Sequence, residues 1–402
     1  MLNLDQFISQ YVTKRPESMF YPDIEGNWDA LSRKIIGKSV LVIGGAGSIG
    51  SSFVKALLPF KPASLVVVDT NENALAELTR DIRSTKGMFI PKDYITYPMD
   101  YASPVFRKIF CNHGGFDIVG NFSAHKHVRS EKDIYSIEAL LQNNVLHAKL
   151  LLDLLAEIPP EEYFCVSTDK AANPVNIMGA SKRIMEDVIF SYSDKFPVKT
   201  ARFANVAFSN GSLLAGFLAR IQKRQPLSAP SDVRRYFVSP EESGQICLLS
   251  TMLGENRAIF FPKLEEAQMM TFDGIARELL KEHGYDVLEC NSDIEAIDKA
   301  EDLKDGGRYY PVHFSASDTS GEKPFEEFVT DTETVAMDRF FSLGVITGKE
   351  ITDKDKVEKF LKNLNMIFDK LETTKEEVVN IIKEYLPNFE HIETGKSLDS
   401  KM

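Results

Sequence analysis

Ser39-Val40-Leu41-Val42-Ile43-Gly44-Gly45-Ala46-Gly47-Ser48-Ile49-Gly50 is the stretch on which the reading of this chain turns. A short apolar run enters three glycines at 44, 47 and 50, and a helical pattern follows from Ser51 to Leu58, closed by Pro59 and Pro62. Glycines at this spacing keep the turn tight, let backbone approach a pyrophosphate, and let the next helix pack closely on the sheet. The N-terminus of that helix then offers free N–H groups to phosphates. A glycine triplet alone is weak evidence, but its surroundings supply the context the motif needs. A buried strand precedes it, a helix follows, and the next apolar run, Leu65–Val68, ends at an acid, Asp69. Gly44, Gly47, Ser48, Ile49 and Gly50 are therefore candidate cofactor contacts. Asp69 can accept hydrogen bonds from both hydroxyls of an adenine ribose and would repel a 2′-phosphate. No arginine follows it directly, so NAD is expected over NADP.

Outward from this loop the pattern repeats. Asn71 caps a helix through Arg83. Apolar strands at Ile95–Pro98, Ile118–Phe122 and Tyr163–Val166 alternate with helices, notably Ile137–Ile158. That alternation predicts an α/β fold, a doubly wound parallel sheet of the Rossmann type with helices on both faces. Asp100 and Tyr101, after the third strand, stand where an adenine contact is usual in such sheets. The domains follow as an N-terminal arm (1–36), the NAD-binding Rossmann domain (37–204) and a smaller mixed α/β substrate lobe interleaved with it (205–335). A helical C-terminal extension (336–402) completes the chain, with Val378, Ile381, Ile382 and Tyr385 on one face and a polar tail. Helices near Ile137–Ile158 and Met185–Phe190 offer surfaces for pairing between subunits.

The bulk composition narrows the classes. With 402 residues the chain can bury a large core, and its net charge of −12 argues against broad binding to nucleic acid or anionic membranes. Four scattered cysteines show neither CxxC nor zinc spacing, so a reducing cytoplasm is the simplest setting and no metal is expected. The N-terminus lacks the plan of a secretory signal, and no run approaches the roughly 20 apolar residues of a membrane span.

The stretch that carries chemistry is Ser167-Thr168-Asp169-Lys170-Ala171, followed by Asn176-Ile177-Met178-Gly179-Ala180-Ser181-Lys182. Thr168, Asp169 and Lys170 emerge at the carboxyl end of a strand, where ligands sit in doubly wound sheets. Met178 and Lys182 are i and i+4 on one helical face. The second half has the shape of a Tyr-x-x-x-Lys helix with methionine in the tyrosine's place. A thioether has no proton to give, so any acid–base work falls to Thr168, Asp169 and Lys170. An unperturbed lysine, with a pKa of about 10.4, is almost wholly protonated near neutrality, so a base at Lys170 needs burial or neighbouring cations. His125 and His127 are too isolated to form a metal site.

Taken together, these residues resemble the extended short-chain dehydrogenase/reductase family. Within it they look like the nucleotide-sugar 4,6-dehydratases of bacterial polysaccharide biosynthesis, the CapD-like group, part of which carries methionine at the tyrosine position. The resemblance extends over nearly the whole chain. It includes Ala124-His125-Lys126-His127-Val128, Asn143-Asn144-Val145-Leu146, Arg202-Phe203-Ala204-Asn205-Val206, Arg235-Tyr236-Phe237 with Glu241-Glu242, and Gly321-Glu322-Lys323 with Glu326-Glu327. Two blocks depart from the family pattern: Ser209-Asn210-Gly211-Ser212, and Thr319-Ser320, where an Arg-Pro is usual.

The resemblance implies an NAD-dependent lyase acting on a UDP-HexNAc, UDP-N-acetylglucosamine foremost. The sugar would be oxidised at C4, lose water across C5–C6, and regain hydride at C6. It further implies a cytoplasmic homo-oligomer without a membrane span. In that scheme Lys170 is the base at C5, Asp169 the acid for the C6 hydroxyl, and Thr168 or Asp169 assists at the C4 hydroxyl. Met178 lies beside the sugar, while Lys182 and Ala124 adjoin the cofactor. Lys126, Asn205, Arg234, Arg235 and Glu322 are the implied substrate contacts. A 4-epimerase on the same fold and a non-catalytic NAD(H)-binding scaffold remain as alternatives.

Overall fold

A computed structural model describes residues 2–317, 321, 323, 325–347 and 352–393. The glycine-loop strand is β1 (Ser39–Ile43), and the helix after the loop is α1 (Ser48–Leu57). Then come β2 (Ser64–Asp69), β3 (Asp93–Pro98), β4 (Ile118–Asn121), β5 (Glu162–Thr168), the helix α2 (Ile177–Phe190) and β6 (Val198–Phe203). The sheet is completed by β7 (Ile259–Pro262), β8 (Thr334–Ala336) and β9 (Leu343–Thr347). Its order is β8-β9-β7-β6-β5-β4-β1-β2-β3. The strands from β1 to β7 are parallel, and β9 runs antiparallel to both β7 and β8. Val40–Ile43 and Leu65–Val68 are at most 1% exposed, as continuous apolar strands covered on both faces must be. The strand order reverses between β1 and β4, which opens a crevice beyond their carboxyl ends.

Residues 227–230, 286–289 and 309–315 form a separate three-stranded parallel sheet. Helices at Leu213–Lys223 and Phe272–Glu282 join it in a second apolar core. The N-terminal arm bridges the two bodies. Phe7, Ile8 and Val12 belong to the lobe's core, whereas Phe20, Ile24, Leu31 and Ile35 belong to the main one. Between them Arg15 grips Glu242 with two hydrogen bonds of 2.7 Å.

One expectation is corrected. The segment 336–402 is not helical throughout, because Leu343–Thr347 is a strand that ends the main sheet. The helix expected over 137–158 is present as one uninterrupted helical run over 134–157, widened to a π turn at Gln142–Leu146. That turn lets the Asn143 carbonyl accept the Tyr101 phenol at 3.1 Å and aims the Asn144 amide at the His125 backbone. Of the surfaces offered for subunit pairing, the Met185–Phe190 stretch is buried within the chain, whereas Tyr135 and Leu150 on the helix 134–157 are exposed. The terminal helices α3 (Lys354–Phe368) and α4 (Lys375–Tyr385) share the main core through Phe360, Leu364, Val378 and Ile382. Tyr385 donates to Asp187 at 3.3 Å, Lys149 faces Glu358 at 3.6 Å, and Met185 and Phe190 are 1% exposed.

A buried ionic knot fixes the strand end that carries the candidate chemistry. Arg202 is 0% exposed and donates to both oxygens of Glu186, at 3.0 and 2.9 Å, and to both of Glu333 at 2.7 Å. Ser167 donates to the same Glu186 at 2.8 Å. Removing one partner leaves an uncompensated buried charge, at a cost of about 3–5 kcal/mol. Arg202→Met is therefore expected to lower the unfolding free energy by about that amount. Denaturant unfolding followed by circular dichroism checks it, and a loss below about 1 kcal/mol would count against the knot.

Candidate active site

The glycine loop and the Thr-Asp-Lys strand end open onto one cavity of about 1040 Å³. On the loop side Gly44 has φ +68°, and a Cβ there would lie 2.5 Å from Ser123 N. A Cβ on Gly50 would lie 2.3 Å from Gly44 O, so only glycine lets α1 start so close to the turn. The first turn of α1 has no side-chain cap, and Gly47, Ser48 and Ile49 line the cavity. Uncapped N–H groups at a helix N-terminus are an anion site, so these residues fit a dinucleotide pyrophosphate. Asp69 accepts from Ala46 N at 3.0 Å and from Asn71 N at 2.9 Å, one bond to each oxygen. A carboxylate oxygen has room for a second donor, so the pinned side chain keeps capacity for ribose hydroxyls.

At the far side of the cavity stand Thr168, Lys170, Met178 and Lys182. Asn176 caps α2 by accepting from Gly179 N at 2.7 Å. Glu131 accepts from Met178 N at 3.0 Å and meets His391 at 3.2 Å, so the C-terminal segment braces the start of α2. Ile392 N also donates to Val175 O at 3.0 Å. Lys182 is 3% exposed and donates to Val166 O at 3.0 Å. Burial pushes its ammonium below the ordinary lysine range. Its ammonium also donates to Met185 Sδ at 3.7 Å, and the third N–H is left for a ligand.

Asp169 departs from expectation. It is 4% exposed and does not line the cavity. Its Oδ1 accepts from Thr168 Oγ1 at 2.8 Å, from Lys170 N at 2.9 Å and from Lys170 Nζ at 3.1 Å. The carboxylate therefore sits behind the two cavity-facing groups and reaches the crevice through them.

The other site residues divide. Ala124, Lys126, Asn205 and Arg235 all line the cavity, and Lys126 donates to Ser209 Oγ at 3.4 Å. Arg234 does not line it. It is turned outward and paired with Glu266 at 3.2 Å. Neighbouring residues on an extended strand point to opposite faces, so only one arginine of the pair faces inward. Tyr101 is 6% exposed with its phenol committed to Asn143, and Asp100 is exposed and turned back on Ala102 N at 2.8 Å. Neither side chain lines the cavity. Glu322 lies outside the described residues, as do Thr319 and Ser320.

Two charged residues enter that were not singled out. Arg220, on the lobe helix Leu213–Lys223, also lines the cavity. Glu326, 4% exposed, brings its Oε1 to 3.9 Å from Lys170 Nζ. Burial, opposed by Lys170, pushes the Glu326 carboxyl above its ordinary range. The Glu326-Glu327 pair had been read only as part of a motif, and its position signalled nothing about Lys170. Among the described residues no cluster of histidine, cysteine, aspartate and glutamate could hold a metal ion.

The sheet order, the glycine loop at its reversal and the lysine-bearing helix beside it define a nucleotide-binding fold of the extended short-chain dehydrogenase/reductase type. The chain belongs to the polysaccharide biosynthesis protein family, whose model matches residues 40–347. It is 28% identical over 354 residues to an uncharacterised membrane protein of Methanocaldococcus jannaschii, covering 86% of this chain and 96% of that one. It is 27% identical over 327 residues to the probable polysaccharide biosynthesis protein EpsC of Bacillus subtilis, covering 80% of this chain but only 49% of EpsC. The chain thus spans about half the length of that relative. Further relatives are a UDP-N-acetylglucosamine 4,6-dehydratase (inverting) of Campylobacter jejuni and a UDP-glucose 4-epimerase of Rickettsia bellii. The first is 26% identical over 57% of this chain and 67% of that one, the second 27% over 73% and 87%. Among solved structures, Pen from Bacillus thuringiensis superposes with a TM-score of 0.64 at 18% identity, covering 88% of this chain and 98% of that one. Among the described residues no helix is long and apolar enough to cross a membrane.

Proposed function

We propose that this chain is an NAD-dependent nucleotide-sugar 4,6-dehydratase acting on a UDP-HexNAc, most simply UDP-N-acetylglucosamine, in polysaccharide biosynthesis. The observation that carries the reading is the cavity wall of Thr168, Lys170, Met178 and Lys182, where proton-transfer groups stand beside a methionine. NAD, held by the glycine loop, Asp69 and Lys182, would supply hydride acceptance at C4 and hydride return at C6. The remaining work belongs to side chains. Thr168 hydrogen-bonds the C4 hydroxyl and passes its proton toward Asp169, to which it already donates. Once C4 is a ketone, the C5 proton is acidic, and Lys170 is the amine placed to take it. Departure of the C6 hydroxyl needs a proton, which Asp169 supplies after turning its carboxyl toward the crevice. Arg235 and Asn205 hold the diphosphate, arginine's fork matching phosphate oxygens, and Lys126 walls the sugar.

Incubation with UDP-N-acetylglucosamine, followed by mass spectrometry and NMR, tests the reading. A product lighter by one water with a C6 methyl group supports it. A C4 isomer of unchanged mass would support the second reading, a 4-epimerase, which is favoured by the inward-turned Asp169 and by the Rickettsia relative.

Asp69 yields a further prediction. Its carboxylate would face a 2′-phosphate across the ribose, so NADH should bind at least about tenfold more tightly than NADPH, or about 1.4 kcal/mol. Asp69→Ser should shrink that ratio, as read by fluorescence titration of both cofactors. Equal affinities in the unchanged protein would refute it.

A further inference from the structure

We propose that Glu326 is a positioning residue for Lys170, holding its amine by charge together with Asp169 and stabilising the ammonium formed when Lys170 takes a proton from substrate. The inference rests on the dehydratase reading for the identity of that proton. The charge arrangement is visible without it.

Lys170 Nζ stands 3.1 Å from Asp169 Oδ1 and 3.9 Å from Glu326 Oε1, and both carboxylates are 4% exposed. Glu326 arrives from a segment that is itself tied down over the strand end. Gly321 O accepts from Asn176 Nδ2 at 2.7 Å, Lys323 Nζ donates to Asn173 O at 2.6 Å, and Glu327 accepts from Asn173 Nδ2 at 3.0 Å. Gly321 has φ +68°, and a Cβ there would lie 2.6 Å from Asn176 Cβ, so only glycine permits this close approach. The segment is thus anchored to the loop just before α2, and Glu326 is delivered to Lys170 by backbone geometry.

The charged groups facing Glu326 are Lys170, Asp169, Arg235 and Lys323. Burial, aided by the Asp169 charge, outweighs the three cations and holds its proton to a higher pH than an ordinary carboxyl would keep it. As pH falls, Glu326 is neutralised first and its support for the ammonium is lost. When ionised, it favours the charged form of its neighbour. Transfer of a proton from carbon to the Lys170 amine creates a cation, and two carboxylates then flank that cation in a site of low dielectric.

Glu326→Gln keeps the volume and removes the charge. The expected result is a fall in kcat of about tenfold with KM little changed, as for an interaction made mainly in the transition state. The pH at which Lys170 becomes reactive should also move down by about one unit, because an anion that favoured the ammonium is gone. That second quantity is read without substrate, as the pH dependence of Lys170 acetylation by acetic anhydride, measured by peptide mass spectrometry. Glu326→Asp should recover part of both effects, whereas Glu327→Gln should leave the Lys170 midpoint unchanged. An unchanged midpoint in Glu326→Gln overturns the inference, and so does an equal shift in Glu327→Gln. A shifted midpoint in a protein that dehydrates no UDP-sugar would uphold the charge pair and sink the dehydratase reading instead.

Discussion

Lys170→Ala is expected to lower the rate of water loss from UDP-N-acetylglucosamine by about 10³-fold, the span ascribed to a positioned general base. Lys170 is the amine on the cavity wall whose flanks are both carboxylates, and its partners Asp169 and Glu326 are buried. Lys182, the other lysine of the wall, is buried on α2 and already donates to the Val166 carbonyl. It has a cofactor to orient and cannot take over at C5. In deuterated water the unchanged enzyme should place deuterium at C5 of its product, whereas the variant should incorporate none. Cofactor binding should survive, since the glycine loop and Asp69 are untouched. A variant that still dehydrates at near the original rate would remove Lys170 from the reaction. One that loses NADH affinity as well would point to a collapsed site instead of a missing base.

The parts of this site that were legible in the sequence are those set by local chemistry. The glycine spacing, the apolar strand before it and Asp69 at the end of the next strand lie close together in sequence, and each has a steric or hydrogen-bonding reason to be where it is. Thr168 and Lys170 follow from one strand end, while Met178 and Lys182 follow from one helical repeat. What failed was set by tertiary context. Arg234 and Arg235 are adjacent on a strand, and nothing local says which of them faces inward. Asp100 and Tyr101 sit at a strand end where a ligand contact is reasonable. The π turn at 142–146, however, offers Tyr101 a carbonyl that its phenol takes instead. Glu326 depends on a contact between residues 145 apart, Asn176 with Gly321, which sequence periodicity does not reveal.

The sequence predicts a C-terminal extension of helices rich in lysine and glutamate. Their apolar stripes were visible, with Val378, Ile382 and Tyr385 on one face, but the surface they cover was not. That surface includes Lys149 on the helix His147–Glu157, which faces Glu358, and Asp187 on α2, which accepts from Tyr385, and covering it binds the C-terminal segment to the chemistry. His391 reaches Glu131, Glu131 holds Met178 N, and Ile392 holds Val175 O. The extension is therefore part of the scaffold that fixes the first turn of the lysine-bearing helix.

Asp169→Asn removes the group that receives the C4 proton through Thr168 and delivers a proton to the C6 hydroxyl. Asparagine keeps the size of aspartate and an acceptor oxygen, so the bonds from Thr168 Oγ1 and Lys170 N, at 2.8 and 2.9 Å, can persist. It has no proton to deliver and no charge to offer the ammonium. Lys170 remains, but the C4 hydroxyl has lost the acceptor of its proton and the C6 hydroxyl its acid. Water loss should fall by about 10²–10³-fold. With little C4 ketone formed, deuterium from the solvent should not build up at C5 of the recovered substrate; build-up there would show that C4 is oxidised without Asp169 and confine its role to the C6 acid. The single 3.1 Å contact from Lys170 Nζ to Asp169 makes one further consequence unavoidable. Loss of that anion must favour the free amine, so acetylation of Lys170 by acetic anhydride should begin at lower pH in the variant than in the unchanged protein. Undiminished dehydration in Asp169→Asn would transfer the acid role away from Asp169, with Glu326 the next buried carboxylate beside the same amine.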